Sequence, residues 1–294
     1  MKGLLERLAA GERLVADGAM GTMLIDRGLE PGTCLEALNL SHPEVLEDIS
    51  RMYLQAGAEL IQTNTFGGSP LKLAQYGLEA KTEEINRAAV RAARKVVGDR
   101  AYVSGSCGPS GKILKPYGGT EPDTLFESFC RQMSSLIEAG TDVICVETMI
   151  DIAEATLAVK AARDVAPSIP VMATMTFEPT PKGFHTIMGI SIEQAARHLG
   201  QAGADVVGSN CGNGIENMIK VAQGFHTRTD LPLLIQSNAG MPEMKDGKLV
   251  YSESPEFMAE KARELIAAGV SIIGGCCGTT PDHIRALRKV VDST

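Results

Sequence analysis

One phrase returns four times along this chain of 294 residues and limits what it can fold into. A small residue and a glycine lead, through one further residue, to a polar or acidic side chain and then a β-branched or aliphatic run. The copies are Ala56-Gly57-Ala58-Glu59-Leu60-Ile61, Ala139-Gly140-Thr141-Asp142-Val143-Ile144 and Ala202-Gly203-Ala204-Asp205-Val206-Val207, with a looser one at Ala268-Gly269-Val270-Ser271-Ile272-Ile273. Successive glycines stand 83, 63 and 66 residues apart. Each follows a helical pattern, where glycine serves as a C-terminal cap. Each apolar run after it reads as a strand buried on both faces, the habit of parallel sheets.

Four more strands fit between these: Leu14-Val15-Ala16-Asp17, Tyr102-Val103-Ser104-Gly105, Val171-Met172-Ala173-Thr174-Met175 and Leu233-Leu234-Ile235-Gln236. Helical patterns separate them, for example over 83–97, 193–202 and 255–268. Alternating strands and helices with buried strands imply a parallel sheet with right-handed crossovers. Eight such units predict a (β/α)8 TIM barrel, with residues 1–294 as a single domain. An open doubly wound sheet is the competing arrangement, but no Gly-rich dinucleotide fingerprint follows the first strand. Stretches 108–123, 177–187 and 239–254 read as long irregular loops after strands, on the face that carries chemistry in a barrel.

The net charge of −8 lacks the basic footprint of a nucleic-acid binder. No apolar run reaches the roughly 20 residues that span a bilayer. The opening residues 1–7 read as an amphipathic helix and not as a signal peptide, which places the protein in the cytoplasm. Seven cysteines, an odd number scattered along the chain, do not make a secreted disulfide framework.

The predicted strand ends collect carboxylates, amides and thiols. Asp17-Gly18-Ala19 closes the first, Glu147-Thr148 the fourth, Asn210-Cys211-Gly212 the sixth, Asn238-Ala239-Gly240 the seventh and Cys276-Cys277-Gly278 the eighth. In a regular strand, adjacent side chains point to opposite faces. The glycines at 275 and 278 let the backbone leave that geometry, so the two neighbouring thiols can converge. With Cys211 they form a three-thiol set on one rim, the donor set of a catalytic zinc site with an open position. The competing reading is a small apolar corner with buried core cysteines. Cys145 and Cys130 read as core, and Cys107 and Cys34 have no identified role. His198 and His283 read as helix surface, leaving His185 as the one histidine in a chemistry-bearing loop. Asp17 and Glu147 are charges directly after apolar strands and are candidate partners of an amino group. The backbone at Gly18 and Ala19 can offer amides to a carboxylate. Asp17 has a second reading as the cap of the next helix.

Taken together, Asp17-Gly18-Ala19-Met20-Gly21-Thr22, the segment from Glu59 to Thr65-Phe66, Glu147-Thr148, Asn210-Cys211-Gly212, Asn238-Ala239-Gly240 and Gly274-Gly275-Cys276-Cys277-Gly278 resemble the homocysteine S-methyltransferase family. Within it, the likeness is closest to the homocysteine-binding barrel of cobalamin-dependent methionine synthases. The resemblance implies zinc held by Cys211, Cys276 and Cys277, with homocysteine entering as a thiolate ligand. It implies that Asn238 occupies the open position when substrate is absent. Asp17 and Glu147 would hold the substrate ammonium, with Gly18 and Ala19 near its carboxylate. In the betaine-using branch a tyrosine follows the strand-four glutamate; Thr148 stands there in this chain, which argues against a betaine-type site.

A free alkyl thiol has a pKa near 8.5 and is mostly protonated at neutral pH. A coordinated thiol is deprotonated outright, so the implied centre suits methyl transfer to sulfur. One barrel leaves no room here for a folate or cobalamin domain. The expected donor is therefore a methylcobamide on a separate corrinoid-binding protein. A small donor such as S-methylmethionine or betaine is the alternative, and a non-catalytic zinc and amino-acid binding module is a further one.

Overall fold

The computed structural model describes residues 2–30, 32–245 and 248–294. Eight parallel strands form the centre: β1 (Leu14–Val15), β2 (Leu60–Gln62), β3 (Tyr102–Cys107), β4 (Val143–Met149), β5 (Val171–Met175), β6 (Val206–Asn210), β7 (Leu233–Ser237) and β8 (Val270–Gly275). From β2 to β8 each pairs with its sequence neighbour, and β8 pairs with β1. A parallel bridge between Ala16 and Leu60 joins β1 to β2 and closes the ring. This is the (β/α)8 TIM barrel expected from the alternation.

Eight helices surround it: Pro43–Gln55, Thr82–Val97, Pro122–Glu138, Ile152–Val165, Ile192–Ala202, Ile215–His226, Pro255–Ala267 and Pro281–Asp292. Four of them open on proline, which lacks the N–H that a first helical position leaves unpaired. Among the described residues no helix is long and apolar enough to cross a membrane.

The fourfold phrase has a physical explanation at the barrel floor. Gly57, Gly140, Gly203 and Gly269 all take positive φ, from 82 to 108°, and end the preceding helices. The acidic residue that follows in three copies ties two strands and a helix together. Asp142 accepts from the Val103 amide at 2.7 Å and pairs with Arg94. Asp205 accepts from the Val171 amide at 2.8 Å and pairs with Arg163. Glu59 accepts from the Val15 amide at 3.4 Å and pairs with Arg7 and Arg288. Ser271 replaces the acid in the fourth copy.

Strand alternation divides the core into two layers. Val15, Ile61, Val103, Ile144, Val207 and Ile273 face the helices. Leu14, Leu60, Tyr102, Cys145, Met172, Val206, Leu234 and Ile272 fill the lower barrel interior, and Leu4 and Leu8 of the N-terminal helix Leu4–Ala9 pack against them. Above this layer the inward positions turn polar. The loops read as irregular contain short hairpins: Glu178–Thr180 pairs with Gly183–His185, and Glu243–Lys245 pairs with Lys248–Val250. Loop 108–123 is held by buried Glu154, which accepts from the Ser110 amide at 2.7 Å and its hydroxyl at 2.6 Å.

Candidate metal and substrate site

The three thiols named from the sequence meet at the C-terminal mouth of the barrel. The sulfurs of Cys211, Cys276 and Cys277 all lie within 4.8 Å of one another, and Cys211 Sγ stands 3.8 Å from Cys277 Sγ. Two sulfurs each ~2.3 Å from a tetrahedral zinc are separated by about 3.8 Å, so the spacing matches a tetrahedral edge. Backbone pairing continues past the strand ends to hold these residues. The Cys211 amide donates to Gln236 O at 3.1 Å, the Cys276 amide to Ser237 O at 2.7 Å, and the Ala239 amide to Cys277 O at 3.0 Å. Cys211 takes φ 59°, a left-handed conformation rare outside glycine that costs ~1–3 kcal/mol. Gly278 takes φ 78°, and a Cβ there would stand 2.1 Å from the Tyr251 ring.

Hydrogen bonds from Cys276 and Cys277 hold the Cys211 thiol far below the usual thiol range. The same contacts raise Cys276, and raise Cys277 to about 12. One thiolate is thus stabilised by two neighbours that keep their protons. Asn238 lies beside Cys211, and its Oδ1 is buried without a hydrogen-bond partner among the described residues. Three soft donors and one orphaned oxygen suit a thiophilic divalent cation.

The two carboxylates are the second half of the site. Asp17 is buried; its Oδ2 accepts from the Gln62 amide at 2.8 Å and its Oδ1 has no partner among the described residues. Burial, with the charge of Glu147, pushes its pKa to about 8. Glu147 accepts from the Ser106 hydroxyl and from Asn210 Nδ2 at 3.2 Å, and burial lifts it to about 7. Among the described residues no cation neutralises either acid, so an incoming ammonium meets two acids that ionise readily beside it. Asp17 caps no helix: the next one, Gly21–Ile25, starts after Met20 without a side-chain cap.

A cavity of about 210 Å³ connects the two halves; Gly18, Ala19, Glu147, Cys211, Cys276 and Cys277 line it, while Asp17 and Asn238 sit behind the lining. A Cβ at Gly18 would lie 2.6 Å from Thr279 Oγ1 and 2.9 Å from the Tyr53 hydroxyl. The Ala19 amide already donates to Thr279 Oγ1 at 3.1 Å. Tyr53 donates to the Ala19 carbonyl at 2.8 Å, and Thr279 Oγ1 donates to the Cys276 carbonyl at 2.7 Å. The substrate-side loop and the thiol loop are thus one hydrogen-bonded unit.

Sequence reasoning missed several contributors. Asn210 is the hub: its Oδ1 accepts from the Thr148 amide at 2.8 Å and Thr174 Oγ1 at 2.7 Å, and its Nδ2 also reaches Thr148 Oγ1 at 2.7 Å. Strand parity from Val206 puts residue 210 inward, a signal present in the sequence. Thr148 takes φ 59°, a strained value for a β-branched side chain, and Asn210 holds it there. His283 is not on the helix surface; it is buried and bonds back to Thr280 and across to Glu253. Cys107 turns away from the cavity to Gln132 Oε1 at 3.3 Å, and Cys145 lies in the interior as expected. His185 belongs to the 178–185 hairpin and does not line the cavity.

The sequence profile described as homocysteine S-methyltransferase matches residues 14–291. The chain is 34% identical over 307 residues to a methionine synthase of Mycobacterium leprae, covering 98% of this chain and 25% of that protein. A methionine synthase of Mycobacterium tuberculosis is 34% identical over 297 residues, covering 95% of this chain and 24% of its own length. The chain therefore spans about a quarter of the length of the curated relatives it matches. Among solved structures it is similar to the metallated form of the homocysteine methyltransferase MmuM from Escherichia coli. That match has a TM-score of 0.79 at 25% identity and covers 95% of this chain and 96% of that one. With a profile running from the first strand to the last helix, and a thiol trio at the barrel mouth, the chain belongs to the homocysteine S-methyltransferase family.

Proposed function

We propose that this chain, one domain over residues 1–294, transfers a methyl group to the thiol of homocysteine to give methionine. Zinc is the assigned metal, with Cys211, Cys276 and Cys277 as its ligands and Asn238 as the fourth donor before substrate arrives. The observation that carries the reading is the pairing of three thiols within 4.8 Å with Glu147 in one cavity, and with Asp17 buried behind its lining, neither acid having a cation partner among the described residues. When bound, zinc supplies the charge that keeps the substrate sulfur deprotonated at neutral pH.

The protein's own groups do the rest. Asp17 and Glu147 take the substrate ammonium and ionise as it binds. Gly18 and Ala19 lie beside the substrate carboxylate, with the Ala19 amide held by Thr279 Oγ1. These contacts point the substrate side chain at the thiols, so its sulfur is presented in one orientation. The substrate sulfur forms a bond to the methyl carbon as the donor's bond breaks, and no side chain is needed as nucleophile. The reaction suits a reducing cytoplasm, and all seven cysteines are free.

The proposed donor is a methylcobamide on a separate corrinoid-binding protein. A cavity of about 210 Å³ falls below the ~300–1,000 Å³ that encloses a drug-sized ligand, so it suits one small amino acid. Exposed apolar side chains also stand on the loops at the same end of the barrel: Tyr117, Ile187, Met188, Met241, Met244 and Leu249. A small donor such as S-methylmethionine or betaine is the second reading. What supports it is that a solved homocysteine methyltransferase has nearly the same extent as this chain, which covers 96% of it.

The test is elemental analysis of wild type and Cys211→Ala, joined to a methyl-transfer assay. Zinc near one equivalent in wild type, lost in the variant, with methionine formed from methylcobalamin, is expected. Turnover with S-methylmethionine or betaine alone would reject the corrinoid donor. Zinc and homocysteine bound without methionine from any donor would make this a binding module.

A further inference from the structure

Four proposed metal donors come from three loops, those after β6, β7 and β8. One residue outside the cavity touches all three. Glu253 lies at the end of the 239–254 loop, and its Oε2 accepts from the Ile215 amide at 3.0 Å, at the start of the helix that follows Cys211. Its own amide donates to Ala239 O at 3.0 Å, next to Asn238. Its carbonyl is 3.0 Å from His283 Nε2, on the helix that follows Cys276 and Cys277. His283 Nδ1 accepts from the Thr280 amide at 3.1 Å, which leaves the proton on Nε2 to donate to Glu253 O.

The fit around this residue is close. A Cβ at Gly214 would stand 2.0 Å from Glu253 Oε1, so only glycine leaves space for the carboxylate. Two residues earlier in the chain, the Tyr251 ring covers Gly278, directly after Cys277. That contact sets the ring against the thiol loop.

We propose that Glu253, locked by His283, is a positioning residue that fixes the distance of Cys211 from Cys276 and Cys277. It touches neither sulfur nor substrate. It acts by tying the β6 loop to the β8 helix through the β7 loop, so Cys211 and Cys277 stay near 3.8 Å apart and all three thiols within 4.8 Å before any ion arrives. A site preset in this way loses less freedom on binding than one that must assemble around the ion. The inference rests on the zinc assignment only for its metal readout.

The experiment compares wild type, Glu253→Ala and Glu253→Gln, with thermal unfolding to confirm that each folds. Glutamine retains an oxygen that can accept from Ile215; alanine retains none. Zinc affinity is measured by competition with a chromophoric chelator, and site geometry by the sulfur-to-metal band of the cobalt(II) protein. Binding of a trivalent arsenical, which bridges close thiols, is measured on metal-free protein. Glu253→Ala is expected to lose at least about tenfold in zinc and arsenical affinity and to weaken the cobalt band, with Glu253→Gln within about threefold of wild type. An alanine variant that folds and keeps wild-type values in all three overturns the proposal. The arsenical needs no zinc, so a loss confined to it supports the positioning role even where wild type takes up no metal; that result overturns the metal assignment alone.

Discussion

Asp17 and Glu147 carry a pH signature that belongs to single residues. In an unfolded chain they titrate near pH 4, and in the folded protein near 8 and 7. A carboxyl whose folded pKa is raised binds its proton more tightly when folded. Its contribution to stability is complete below about pH 4 and disappears as pH rises through 7 to 8. Ligand-free protein is therefore expected to lose stability across that window. Asp17→Asn should raise Tm relative to wild type at pH 8.5, by ~2–4 °C for each kcal/mol recovered, and should lower homocysteine affinity at least about tenfold. Equal Tm differences at pH 5 and 8.5 would contradict the assignment. The position of Asp17 at the barrel mouth was legible because an acid directly after an apolar strand stands out. That of Asn210 was within reach by parity. That of His283 was not, because its helix pattern gives no hint that the ring turns back to its own first turn.

At the scale of elements, the fourfold phrase revealed the barrel because it encodes two contacts at once, a left-handed helix end and an acid that ties neighbouring strands. The hairpins at 178–185 and 243–250 left no such mark; their strands are three residues long and too short to show alternation. Close approach of strands is a further element property. Gly208 pairs with Leu234 across β6 and β7, and a Cβ there would stand 1.8 Å from the Leu234 carbonyl oxygen. Gly208→Ala must push the strands apart and is expected to cost about 3 kcal/mol or more, with a fall in zinc affinity because Cys211 lies three residues on. The neighbouring Ser209 hydroxyl is buried without a partner among the described residues, so Ser209→Ala should be neutral within about 0.5 kcal/mol. Chemical denaturation of the pair tests this; equal losses would mean that strand spacing is not the cause.

The whole molecule separates stability from chemistry along the barrel axis. The floor is apolar and closed by Leu4 and Leu8, and the mouth holds the thiols, the acids and the strained residues. Leu8→Ala is expected to cost ~2–4 kcal/mol of stability and leave homocysteine affinity within about twofold, measured by denaturation and by calorimetry. A large change in affinity would show that the floor and the mouth are coupled. The ring also joins its first and last strands, and the contact from Ala19 to Thr279 spans 260 positions. During synthesis, a ribosome must deliver every residue through Cys277 before the trio of sulfurs can exist. Until then Cys211 waits on a nascent chain as an ordinary thiol, unable to capture an ion by itself.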